Sequence, residues 1–155
     1  MTGLESTTEQ VAFLQRASAS AAAWLEAVAR RGEGSAETVV VLGRIARELS
    51  EHAAQWESLL PESVLLETHR QPALDDMWLG ERLAEHAESS AAAVLDVVAV
   101  EILPVLADRC RKLNDLANGQ FVARGARRIS ADLADSLLDA LIARKAAQGR
   151  PSAVP

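Results

Sequence analysis

A single cysteine, Cys110, rules out an internal disulfide, and the chain has neither a charged-then-apolar leader nor an apolar run long enough to span a bilayer. A cytoplasmic location and no membrane partner are therefore expected. Tyrosine is absent, and lysine is confined to Lys112 and Lys145, so arginine carries nearly all of the positive charge. That bias, with abundant alanine, suits a GC-rich genome and says nothing about activity. No glycine-rich phosphate loop, nucleophile elbow or kinase signature occurs. Positive charge is in deficit overall: the formal net charge is −6, which repels a phosphate backbone unless basic residues cluster. Sequence-specific nucleic acid is disfavoured as a partner, Arg124, Arg127 and Arg128 forming only a modest patch.

What is present is helical periodicity. Ser6 and Glu9 have the spacing of a capping box and predict a first helix from Ser6, with Val11, Leu14, Ser18, Ala21, Leu25 and Val28 as its apolar seam. Gly32 and Gly34 end it, and Ser35 is placed to cap a second helix over 36–60. That helix carries Leu42, Ile45, Leu49, His52, Trp56 and Leu59 on one stripe. Periodicity then fails from Pro61 to Leu74, apart from an apolar plug at Val64, Leu65 and Leu66. A third helix is predicted to start at Asp75 and Asp76 and to run through Leu79, Leu83, Ala87, Ala91, Val94, Val98 and Ile102 to Leu113, kinked at Pro104, which leaves the Val100 carbonyl unpaired. After a stop at Asn118-Gly119, a fourth helix over 121–145 turns Val122, Ala126, Ile129, Leu133, Leu137 and Leu141 inward.

Two short-linked helical pairs joined by one long link predict an all-α four-helix bundle with a single crossover between helices 2 and 3. A 25-residue helix spans about 37 Å, and the link can just return along it, since 14 extended residues reach about 46 Å. Residues 1–148 then form one bundle domain and 149–155 a disordered tail.

The stretch Arg44-Ile-Ala-Arg-Glu-Leu-Ser-Glu-His-Ala-Ala-Gln-Trp-Glu-Ser-Leu-Leu-Pro61, with Val100-Glu-Ile-Leu-Pro-Val-Leu106, resembles the second and interrupted third helices of small actinobacterial proteins of the ferritin-like superfamily. The resemblance spans roughly residues 6–145 and implies the crossed-over bundle. Iron-binding members of such bundles supply a Glu from each of two helices and a Glu-x-x-His pair from each of the other two. This chain departs from that pattern. It has no Glu-x-x-His on the expected helices, helix 4 offers Asp132 and Asp135 without histidine, and helix 1 only Glu26 beside its seam.

Glu48 and His52 lie four apart on one helix face. With Glu101 and Asp132 they form the candidate metal-ligand or acid–base set, and the simpler account is a core-edge histidine held by one carboxylate. His69 and His86, the latter beside Glu81 and Glu85, could join His52 at zinc only by folding together, because no local metal motif links them. Cys110 has Arg109, Arg111 and Lys112 as neighbours but falls on the apolar stripe, which favours an inert buried thiol. Trp56 with Val98 and Ile102 could line a ligand pocket, while Trp24 and Trp78 sit just off their stripes and could mark a contact surface.

Three functions follow. The favoured one is a ferritin-like bundle without a standard di-metal site or other cofactor, acting as an interaction or assembly module, as a homodimer through an apolar helix face or with another protein. The second is an iron- or manganese-dependent oxidase or hydroxylase using Glu48, His52, Glu101 and Asp132. The third is a binder of small hydrophobic ligands.

Overall fold

The computed structural model describes residues 3–60, 66–70, 78–116 and 120–149, and all regular structure among them is helical. Helix α1 spans Gly3–Arg31, α2 Ala36–Leu59, α3 Trp78–Glu85, α4 Ala91–Val97, α5 Leu103–Leu116 and α6 Gln120–Gln148; a 3₁₀ turn covers Thr68–Arg70 and a π turn Val98–Ile102. No described helix is long and apolar enough to cross a membrane.

The α1–α2 link follows its chemistry. Gly32 and Gly34 take positive φ (63° and 105°), the region that costs glycine nothing, and the Ser35 hydroxyl accepts from the Thr38 amide at 3.2 Å to cap α2. The start of α1 differs from expectation. It begins at Gly3, and Glu9 does not turn back toward Ser6, because its carboxylate meets His69 Nδ1 at 2.8 Å. The capping box is displaced by a contact that ties the 3₁₀ turn to the start of α1.

Larger corrections fall on the third helix. The expected start at Asp75 and Asp76 lies outside the described residues, and instead of one rod on to Leu113 the chain forms α3, turns over at residues 86–90, and restarts at Ala91 under a Ser90 cap that accepts from the Ala93 amide. Arg82 of α3 bonds Glu101 of the π turn at 2.6 Å, although 19 residues separate them. In a continuous helix they would stand about 28 Å apart, so α3 doubles back along α4. It belongs to the crossover. The irregularity expected at Pro104 lies just ahead of it: Leu103 N–H bonds the Val98 carbonyl, widening the turn immediately before Pro104, the second residue of α5. A proline ring clashes with the carbonyl four residues earlier, and the wide turn relieves that clash upstream of the proline itself.

Contacts between side chains set the helix directions. Arg44 pairs with Asp139 and His52 with Asp132, so α2 and α6 are antiparallel. Arg31 donates to the carbonyls of Ala87 and Ser89, while Arg109 reaches Gln10 and stacks over Phe13, so α1 opposes the 91–116 segment. Arg144 pairs with Asp96, and Ser130 bonds Cys110, so α6 opposes it as well. The core these segments share contains Leu14, Leu25, Leu49, Trp56, Ile102 and Leu133, each at most 2% exposed. The seams expected for α1, for α2 up to Trp56, and for residues 94–113 are buried, while Leu59 is half-buried.

Helix α6 departs from its expected seam. Its buried line is Ala126, Ile129, Leu133, Ser136 and Ala140, with Leu137 half-buried and Leu141 42% exposed. The alternation of three and four selects 136 and 140 after 133, and keeping that face inward outweighs the larger side chains one position later. Of the crossover plug, Leu66 is buried; Val64, Leu65, Pro61, Pro72, Asn118-Gly119 and the tail from residue 150 lie outside the described residues, as does the Trp78 side chain.

Leu133→Ala should therefore destabilise the fold by about 2–5 kcal/mol, whereas Leu138→Ala on the outer face should cost less than about 0.5 kcal/mol. Urea unfolding monitored by circular dichroism checks the pair; equal losses would place both leucines in the core.

Candidate functional site

The α2–α6 seam carries a polar ladder. Arg44, Glu48 and His52 follow one another at one-turn intervals, and opposite them α6 presents Asp139, Ser136 and Asp132 in antiparallel order. Arg44 bonds Asp139 at 2.7 Å, the Ser136 hydroxyl donates to Glu48 Oε1 at 2.5 Å, and His52 Nε2 lies 3.0 Å from Asp132 Oδ2. The outermost rung is half-exposed on both sides, whereas the His52 side chain is 1% exposed against 42% for Asp132. Imidazole thus sits in the core while its carboxylate keeps water, which limits the desolvation cost of holding a charge there.

Asp132 accepts a ring N–H on Nε2, which leaves Nδ1 as the ring nitrogen not engaged by α6. That Nδ1, and Trp56 Nε1 one turn further along α2, are buried without a hydrogen-bond partner among the described residues. A carboxylate-oriented imidazole is the arrangement that serves as a general base or as one metal ligand. The other expected ligands are not delivered to it. Glu48 is engaged by Ser136, and Glu101 is drawn to Arg82, whose Nε and Nη2 donate at 3.1 and 2.6 Å. Among the described residues no group of three or more His, Cys, Asp or Glu side chains could hold a metal ion. The described residues do not fit a dinuclear centre.

The three histidines go to three places. His69 binds Glu9 and stands 3.7 Å from Glu5, and His86 Nδ1 meets the Ser89 hydroxyl at 3.1 Å inside the turn. Trp56, Val98 and Ile102 are packed into the core at 0–1% exposure. The surface beside the π turn and Pro104 carries instead a groove of about 550 Å³ lined by Arg82, Val100, Glu101, Pro104, Val105 and Asp108. A second groove, about 360 Å³, lies between α5 and α6 along Arg111, Asn114 and Arg127. Trp24 is half-buried against the core.

Burial pushes the Cys110 thiol up to about 12, with a smaller opposing pull from the Ser130 hydroxyl. The neighbouring cations are turned elsewhere: Arg109 lies over Phe13, and Arg111 and Lys112 both pair with Asp108. The buried-thiol reading holds. Ser136 and Arg82 were not anticipated as partners. Ser136 is legible by continuing the buried alternation past Leu133, but Arg82 reaches Glu101 only through the reversal at 86–90.

No family model, curated protein or solved structure matches the chain.

Asp132→Ala should cost about 1–3 kcal/mol, because it leaves the buried imidazole with neither nitrogen paired. The double variant His52→Leu/Asp132→Ala should recover part of that loss, and a double-mutant cycle in urea measures the coupling. Cys110 should resist Ellman's reagent at neutral pH until the protein unfolds. Its raised folded value stabilises the protonated state fully below the unfolded thiol's range, near 9. That contribution should fall away as pH climbs from about 9 toward 12, seen as a declining urea midpoint.

Proposed function

We propose that this chain is a ferritin-like four-helix bundle with one long crossover, lacking a standard di-metal centre, and that it acts as an interaction module through the outer face of α6. The antiparallel contacts α1–α2, α1–(91–116), α2–α6 and (91–116)–α6 support the bundle reading. They make α2 and the 91–116 segment run the same way, which demands a full-length crossover between them.

The observation that carries the functional reading is the surface of α6. Leu138, Leu141 and Ile142 are 57, 42 and 60% exposed on one side of the helix, while Ala126, Ile129 and Leu133 fill the core from another. A solvated bundle helix needs one apolar face. A second one, contiguous and uncovered, marks a contact surface. Val40 on α2, one turn before Arg44, is exposed as well. The ladder supports the absence of metal chemistry by its donor set, since Glu48 and Glu101 already serve Ser136 and Arg82.

The test has two arms. Protein purified from its own host should carry iron and manganese far below one equivalent, and Leu138→Glu/Ile142→Glu should abolish association while leaving the circular dichroism spectrum intact. Stoichiometric iron or manganese that is lost in Glu48→Ala/His52→Ala would overturn the reading in favour of the oxidase or hydroxylase alternative.

A further inference from the structure

The outer face of α6 has a finer pattern than an apolar patch. Ala131, Ala134, Leu138, Leu141, Lys145 and Gln148 are all exposed and recur at intervals of three and four, which is a heptad seam. It is displaced five residues from the buried seam at Ala126, Ile129, Leu133, Ser136 and Ala140, and so turned about 140° around the helix. Lys145 is on it and Asp135 and Ile142 flank it, all three exposed, and the two charged residues have no ion-pair partner among the described residues. Arg124, Arg127 and Arg128 stand further toward the helix start, likewise exposed and likewise without such a partner.

Resting on the interaction-module reading, we propose that the occupant of this face is a second copy of the same chain, its α6 packed antiparallel on the first about a two-fold axis that crosses the exposed face at the level of residue 140. In that register Leu138 faces the partner's Ile142, and Asp135 faces the partner's Lys145, each contact occurring twice by symmetry. Residues 131–149 of the two helices overlap over roughly 28 Å. The arginine cluster then projects just past the end of the partner's α6 at Gln148, where the last carbonyls carry partial negative charge. A parallel pairing would set Asp135 against Asp135, Lys145 against Lys145 and the arginine clusters against each other, so the charge order selects the antiparallel one. The pairing of Leu138 with Ile142 and of Asp135 with Lys145 is what identifies the partner as the same chain.

Sedimentation equilibrium at low ionic strength tests the arrangement. The unmodified chain should show a monomer–dimer equilibrium, and Asp135→Lys and Lys145→Asp should each weaken it about tenfold, because each turns two symmetry-related attractions into repulsions. The double reversal Asp135→Lys/Lys145→Asp should restore affinity to within about threefold of the original. Added salt should shrink the differences among these variants. Losses that compound in the double reversal would overturn the antiparallel pairing while leaving α6 as the assembly surface. A dimer indifferent to Leu138→Glu/Ile142→Glu would overturn both this arrangement and the assignment of α6. A chain that stays monomeric up to high concentration would overturn the second copy as occupant without touching the exposed face itself.

Discussion

Two helices that run in the same direction and enclose one core cannot be joined by a tight turn, and this constraint organises the molecule. Helix α2 and the 91–116 segment each oppose both α1 and α6, so they run the same way and no tight turn can join Leu59 to Ala91. The crossover acquires structure on the way. His69 pins it to the start of α1 through Glu9, and α3 lays Leu79 into the core and Arg82 onto Glu101. The reversal at 86–90 is then held to the end of α1 by Arg31, which donates to two of its carbonyls.

That route has a chemical consequence. Because α3 returns beside the π turn, Glu101 finds a guanidinium within hydrogen-bond reach and is neutralised at the surface, away from His52. Glu48 is similarly satisfied by Ser136, at a position where a buried seam would ordinarily hold an apolar residue. Two of the four candidate ligands, Glu48 and Glu101, are thus committed to partners within the chain. What stays inside is one imidazole with a carboxylate on its outer nitrogen, an arrangement sufficient to fix the pairing of α2 with α6. The ladder acts as a register device, since sliding one helix by a turn would break all three rungs together.

Helix α6 connects architecture to function. Its inward seam is small and partly polar, Ala126, Ser136 and Ala140 among its members, while three larger aliphatics sit outside. A helix that faced only water on that side would gain solubility from charge at 138 and 142. Retaining leucine and isoleucine there fits a helix that is covered twice, once by its own bundle and once by a partner.

Much of the architecture was legible in the chain itself. The seams of α1, of α2 up to Trp56 and of residues 94–113, the Gly32–Ser35 link and the burial of His52 follow from spacing of three and four and from glycine and serine chemistry. These are local properties, and local stereochemistry enforces them wherever the chain goes. Tertiary structure alone decided three matters. The Leu79–Ala87 stripe, helical in period, was split from the bundle helix because Ser90 caps a new start and Arg82 has a partner only when α3 folds back. Glu101 was assigned to the surface by that same fold. And the choice of Ser136 and Ala140 over Leu137 and Leu141 as the buried positions was made by the faces of α2 and α5 that α6 must meet, because a helix apolar on two sides does not by itself say which side is in.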